Sequence, residues 1–207
     1  MKLKNNIFVV ILSLFLGFTG AFLTAGKTEG AQQIQQGIAG QIIRFHVIAN
    51  SDTEQDQALK LKVKSEIVRY MQTILAGADG IDETRDRIKA HLDDIETLAE
   101  TVIRQEGYQY PAAARLEQAY FPIKTYGDCT FPEGYYEALR VEIGKAQGKN
   151  WWCVLYPNLC FVDAVHAVVP EEEKQMLKNV LTEQEYEAVT GEPEVRIRFK
   201  YLTFLNQ

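Results

Sequence analysis

The sequence predicts an α+β fold: a mainly antiparallel sheet packed against a long helical hairpin, preceded by a signal peptide or N-terminal anchor. Three observations point to it. Two long stretches carry apolar residues every three or four positions, as one face of a helix requires. Several shorter stretches alternate apolar and polar residues with the period of a strand. The two kinds are segregated along the chain instead of alternating, which separates α+β from α/β architecture.

Lys2 and Lys4 precede a charge-free block from Ile7 to Ala25, "IFVVILSLFLGFTGAFLTA". A basic start followed by an apolar block is the pattern of a secretory leader. It is also close to the shortest helix that spans a bilayer. Leu23 and Ala25 sit at the spacing of a cleavage site, so residues 1–25 read as a signal peptide or an uncleaved signal anchor. Either way the bulk of the chain is expected to cross the membrane. Residues 26–40, rich in Gly and Gln, read as a flexible linker. Residues 41–207 then form a single exported domain, within the size range of one core. The net charge of −6 over 207 residues makes nucleic acid and anionic lipid poor partners, since both select basic surfaces.

"QIIRFHVIA", from Gln41 to Ala49, is apolar on both faces apart from Arg44 and His46, as in a central strand covered on both sides. A helix follows, with its stripe at Leu59, Val63, Ile67, Met71 and Ile74 or Leu75; Gly77 and Gly80 end it. A second runs from near Ile81 through Ile88, Leu92, Ile95, Ala99, Val102 and Ile103, and Gly107 stops it. Strand alternation then appears in "ARLEQAYFPI" and "YYEALRVEIG". The latter is joined through "GKAQGK" to "NWWCVLYP", whose turn residues predict an antiparallel hairpin. Pro170 followed by three Glu opens a short helix. Thr182 and Glu185 form a capping-box pattern for another. The last strand, "EVRIRFKYLTF", sets an apolar face against Arg196, Arg198 and Lys200.

Between the first strand and helix lies a polar knot: Asn50, Ser51, Asp52 and Thr53, with Glu54 and Asp56 beyond. The bland reading is a helix start, with Ser51 and Glu54 as a capping box and the acids favoured by the helix dipole. A calcium loop would need Gly at the sixth position and Glu at the twelfth, where Gln57 and Val63 stand. A Ser51–His46 hydrolase pair lacks the glycines of a nucleophile elbow. A recognition surface is compatible with the capping role. No zinc-ligand spacing and no cofactor motif occurs. Cys160 with His166 is a weak thiol-nucleophile pairing. In an exported domain the three cysteines suggest one disulfide and one unpaired thiol. Cys153 and Cys160 bracket a turn-like insert, and Cys129 with either of them stays open. Trp151 and Trp152 point to opposite faces of one strand. One suits the core and the other a neighbouring element or a partner. The candidate partner-binding residues are therefore Arg44, His46, Asn50, Ser51, Asp52, Trp151 and Trp152.

"IRFHVIANSDTEQDQALKLKVK", "YYEALRVEIGKAQGKNWWCVLYPNLCFVD" and "VRIRFK" resemble stage II sporulation protein R. With the leader they spread the resemblance over almost the whole chain from Ile43 to Lys200. The resemblance implies a non-enzymatic signalling protein, secreted from the forespore into the intermembrane space. Its implied partner is a membrane-embedded aspartic protease of the mother cell. That protease, once activated, removes the inhibitory pro-segment of the sporulation sigma factor E. An exported hydrolase acting on cell wall or peptide is the alternative that the polar knot suggests.

Overall fold

The computed structural model describes residues 30–160 and 168–191. The leader, His166 and the expected last strand with Arg196, Arg198 and Lys200 lie outside the described residues. In order, the elements are α1 (residues 30–41), β1 (Ile43–Ile48), α2 (Glu54–Ile74), α3 (Gly80–Ala90), α4 (Leu92–Gln105), β2 (Ala112–Phe121), β3 (Lys124–Tyr126), β4 (Cys129–Phe131), β5 (Gly134–Ile143), β6 (Asn150–Tyr156), α5 (Glu171–Val180) and α6 (Glu183–Thr190). The class is α+β. Among the described residues, no helix is long and apolar enough to cross a membrane.

The main sheet has the strand order β2-β5-β1-β6. β2 pairs with β5 and β6 with β1 in antiparallel fashion, while β1 and β5 are parallel, so the sheet is mixed. Every residue of β1 is buried, as expected for a strand covered on both faces. One face carries Phe45, Val47, Leu139, Val141 and Leu155 under the stripe of α2 and α4. That stripe is Leu59, Val63, Ile67 and Met71, then Ile95, Ala99 and Ile103, all buried. Each Leu, Val, Ile or Met among them contributes about 1.5–3 kcal/mol by leaving water. The other face carries Tyr136, Ala138, Val154 and Phe121 against Ile38 and Ile42 of the N-terminal segment, Leu177 of α5 and Val189 of α6.

Three expectations are corrected. First, the described part of the supposed linker is helical. Ile34 and Ile38 stand one turn apart and, with Ile42, pack on the second core, so what looked like isolated residues is a helix stripe. Second, the second long helix is two helices, α3 and α4, which divide at His91. The His91 backbone N–H bonds to Ile88 O, and Asp93 and Asp94 open α4, where the dipole favours acids. The layer is thus three helices and not a simple hairpin. Third, β5 and β6 do not pair. β1 is inserted between them, and the connection 144–149 passes over the end of β1. Turn chemistry alone cannot distinguish a hairpin from a bridge across one intervening strand. The short β3–β4 ladder was also not expected.

Of the short C-terminal helices, α6 follows its cap. Thr182 accepts from the Glu185 backbone N–H while Glu185 Oε2 accepts from the Thr182 N–H at 2.8 Å, completing the capping box. α5 begins directly after Pro170 with three Glu in its first turn.

Candidate functional site

The two long family-like stretches meet in space. The first supplies β1, the knot and the start of α2. The second supplies β5, the connection 144–149 and β6. The knot is their junction. Thr53, not Ser51, is the N-cap of α2, and its hydroxyl accepts from the Asp56 backbone N–H at 3.3 Å. The expected Ser51–Glu54 capping box is not formed. Ser51 instead donates from Oγ to Asp56 Oδ2 at 2.5 Å, and Asn50 donates from Nδ2 to the same oxygen at 2.8 Å. Asp56 is buried. Burial pushes its pKa up, but hydrogen bonds from Ser51, Asn50, Tyr110 and Thr53 outweigh it and hold the carboxyl below its ordinary value.

The other ends of the knot hold the connection 144–149. Asn50 Oδ1 accepts the Lys145 N–H at 2.9 Å, and Asp52 Oδ1 accepts the Lys149 N–H at 2.6 Å. The backbone joins in: Gly148 N–H donates to Ala49 O at 2.9 Å and Gln147 N–H to Asn50 O at 3.2 Å. Below, Lys60 Nζ donates to Lys149 O at 3.0 Å. Two glycines make the approach possible. Gly144 has φ of 58°, and a Cβ there would meet Asn50 Oδ1 at 2.4 Å; at Gly148 it would meet Ser51 O at 2.2 Å.

Asn50, Ser51 and Asp52 are thus brought together as a clasp. Ser51 Oγ is committed to Asp56, and neither ring nitrogen of His46 has a hydrogen-bond partner among the described residues. The Ser51–His46 pair that a hydrolase would need is not assembled.

His46 is buried on the second face of the sheet. Its ring stacks on Trp152 with centroids 5.0 Å apart, and Phe121 lies 5.2 Å away. Its pKa is down at about 4. Burial is the main cause, Arg140 adds to it, Glu142 opposes, and Arg44 adds a little. The imidazole is therefore neutral in the fold at pH 7. The unfolded chain binds the extra proton first, so the contribution of His46 is intact above about pH 6.5. It is lost as pH falls towards 4, by about 3 kcal/mol. Urea melts between pH 7 and pH 4.5 are expected to show this loss, and His46→Phe is expected to flatten it. An unchanged slope in the variant would contradict the assignment.

Arg44, two residues earlier, has no exposed surface. Its guanidinium lies among Phe121, Tyr136, Phe131 and Tyr126, 4.4, 5.0, 5.3 and 5.8 Å from the ring centres. Nη2 donates to Tyr126 Oη at 3.0 Å. No ion pair reaches it among the described residues. Arg44 and His46 are both buried in this arrangement, at 0% and 4% exposure.

Trp151 and Trp152 do face opposite ways. Trp151 meets Phe45 edge-on at 5.8 Å, with Lys64 Nζ 4.8 Å above its ring. Trp152 packs on His46 and Phe121, with Lys124 Nζ 5.2 Å above it. Both are half-buried. In the same row as Trp152, but with His46 of β1 between, run the ion pairs Arg140–Glu117 at 2.9 Å, Arg140–Glu142 at 2.5 Å and Arg115–Glu142 at 2.8 Å. This charged row, with Arg115 exposed, was not singled out in the sequence. Its alternation with apolar residues in β2 and β5 was the available sign.

Cys153 and Cys160 form a disulfide. Cys129 is a free, buried thiol, pushed up to about 11 by burial and then by Asp128, with Lys174 opposing. Native protein is therefore expected to react with a thiol reagent at no cysteine. Unfolded protein should react at one without reductant and at three with it. Rapid labelling of the native protein would contradict the buried position of Cys129 or the bridge. Among the described residues no group of three metal-ligating side chains occurs. A cleft of about 420 Å³ lies away from the knot, between the end of α2, the end of β6 and α5, lined in part by Leu75, Tyr156, Pro157 and Met176.

The clasp and the central strands are what the comparisons with known proteins cover. The family model described as stage II sporulation protein R matches residues 39–166, from the end of α1 past β6. Stage II sporulation protein R of Bacillus subtilis (strain 168) is 34% identical over 191 residues, covering 90% of this chain and 85% of that protein. No solved structure matches. With more than half of the chain matched, and the matched stretch holding β1, β5, β6 and the knot, the chain belongs to the stage II sporulation protein R family.

Proposed function

We propose that this protein is an exported sporulation signal that activates a membrane-embedded aspartic protease of the mother cell. The activated protease then removes the inhibitory pro-segment of the sporulation sigma factor E. The carrying observation is membership of the sporulation family over 90% of the chain. The charge-free block after Lys2 and Lys4 supports export from the forespore into the intermembrane space. The clasp supports a binding role over a catalytic one: its polar groups are spent on holding β1, α2 and the connection 144–149 together, and Ser51 is not paired with His46.

An activating ligand works by binding one arrangement of its receptor better than another. The half-buried Trp152 and, across His46 from it, the ion-paired row of Arg115, Arg140, Glu117 and Glu142 supply the aromatic and charged groups that such contacts use. Asn50, Ser51 and Asp52 take part through the loop they fix. A strain lacking the protein is expected to stop early in sporulation with the sigma factor precursor uncleaved. Normal precursor processing in that strain would end the proposal. His46→Ala and Ser51→Ala separate the hydrolase alternative. Activity is expected to fall only as far as stability falls, whereas complete loss with an unchanged melting temperature would favour chemistry at the knot.

A further inference from the structure

β2 stands at one end of the strand order, and among the described residues no strand pairs with its outer edge. The edge is long: ten residues, Ala112 to Phe121, run against β5 with no register shift. Proteins guard such edges with Pro, a bulge or a charge, because the unpaired N–H and C=O groups accept another strand. β2 holds no Pro. Its guards are Arg115, Glu117 and, from α4, Glu96, whose Oε2 accepts the Ala114 N–H at 3.2 Å. That bond also fixes the parity of the edge. Antiparallel pairs alternate, so Ala114, Leu116 and Gln118 all turn their N–H and C=O away from β5.

A charge guards an edge only against a strand that brings the same sign. Arg115 and Glu117 flank Leu116 on one face of β2. A second β2 arriving antiparallel is related to the first by a two-fold axis. With the axis at Leu116, Arg115 faces Glu117 of the second copy, twice over. Ala114 then faces Gln118, Ala113 faces Ala119 and Ala112 faces Tyr120. An axis at Arg115 or Glu117 would set like charges opposite one another. An axis at Ala114 or Gln118 would leave both charges without an opposite partner. Leu116 is therefore the one centre among these that pairs the charges.

The ion pairs already present extend the match. Arg115 holds Glu142 at 2.8 Å, and Glu117 holds Arg140 at 2.9 Å. Across the axis the signs alternate: Glu142, Arg115, then Glu117 and Arg140 of the second copy. Arginine has five N–H donors and a carboxylate has two accepting oxygens, so both existing pairs survive. On the other face Leu116, partly buried against the first core, meets its own copy. The opposite edge of the sheet lacks these features. β6 has no Asp, Glu, Lys or Arg to set a register, and its Val154 carbonyl accepts the Leu159 N–H at 3.0 Å.

We propose that β2 is a self-recognition edge: two copies of this chain pair β2 to β2, antiparallel about Leu116, and join two four-stranded sheets into one. Glu96 yields the Ala114 N–H to the Gln118 carbonyl of the second copy. The pairing goes beyond the activating role and does not depend on it.

The test is disulfide trapping of the full chain in a non-ionic detergent. Leu116→Cys puts a thiol on the axis, where opposed Cα atoms lie about 5.5 Å apart, within reach of a bridge. Gln118→Cys leaves its two thiols about 13 Å apart along the strands. Cys129 is buried and the other two cysteines are bridged, so the new thiol is the one that reacts. Mild oxidation is expected to give a covalent dimer of Leu116→Cys and none of Gln118→Cys. With Leu116→Cys present, Arg115→Glu alone and Glu117→Arg alone are each expected to lose most of the dimer. An equal mixture of these two is expected to regain it, since unlike chains then meet with opposite charges. Dimer from neither cysteine position would overturn the proposal. Equal dimer from both, as association through residues 1–25 alone would give, would overturn the register. Failure of the mixture to regain dimer would overturn the charge pairing.

Discussion

Asp56→Ala is expected to lower the stability of the fold by about 3 kcal/mol, from the loss of two charge-assisted hydrogen bonds of about 1.5 kcal/mol each. Asp56 Oδ2 is the point on which Ser51 and Asn50 converge. Asn50 in turn holds the Lys145 N–H through its other amide atom. Removing the carboxylate therefore frees Asn50 to turn, and the connection 144–149 loses a clamp. Thr53→Ala removes only the cap of α2 and is expected to cost about 1 kcal/mol. The two effects differ in reach. Hydrogen exchange at Lys145 and Lys149 is expected to rise sharply in Asp56→Ala and little in Thr53→Ala. The sign with pH follows from the lowered pKa of the carboxyl. Its stabilisation is present above the ordinary carboxylate value and is lost as pH falls through the lowered one, so the wild-type and Asp56→Ala melts should converge in acid. Urea melts of the three proteins check the ranking; equal midpoints for wild type and Asp56→Ala would contradict it.

Arg44→Ala is expected to cost about 4 kcal/mol, in the range of large buried side chains cut to alanine. The guanidinium fills the space between Phe121, Tyr136, Phe131 and Tyr126, and truncation leaves those rings facing a void. Arg44→Met keeps most of the volume and removes the cost of burying a charge, so it is expected to stay within about 1.5 kcal/mol of wild type. The pair of variants separates packing from recognition. If Arg44 served a partner directly, Met would abolish activation as fully as Ala while leaving the melting temperature near wild type. The buried cage predicts the reverse: Met retains activation, and Ala loses it together with the fold.

Periodicity made β1, α2 and most of the α3–α4 stripe legible in the sequence, because burial on one face enforces a regular apolar spacing. The capping box did the same for α6, and Pro170 with three Glu in the first turn for α5. What failed was information of longer range. No residue near His91 announces a break: neither Gly nor Pro stands there, and the division depends on how α3 and α4 each pack. "GKAQGK" reads as a hairpin turn, since nothing local reveals that β1 will lie between the strands it joins. α1 was hidden by its glycines and glutamines, although Ile34, Ile38 and Ile42 carried the helical spacing. The knot was recognised as a helix start, but its cap was placed on Ser51. The side chain that decides the matter is Asp56, whose donors Asn50 and Ser51 come from before the helix. Arg44 and His46 looked like polar residues available for contact; in a strand buried on both faces they are internal, held by aromatic rings.

The proposed role is to switch on another molecule without breaking a bond. Its most direct test is a reconstitution in a non-sporulating host. The chain, with and without residues 1–25, is co-expressed with the candidate membrane-embedded protease and the sigma factor precursor, and precursor length is followed. Shortening is expected only when the leader-bearing chain, the protease and the precursor are all present. Shortening by the chain without the protease, or by the protease without the chain, would contradict the activating role.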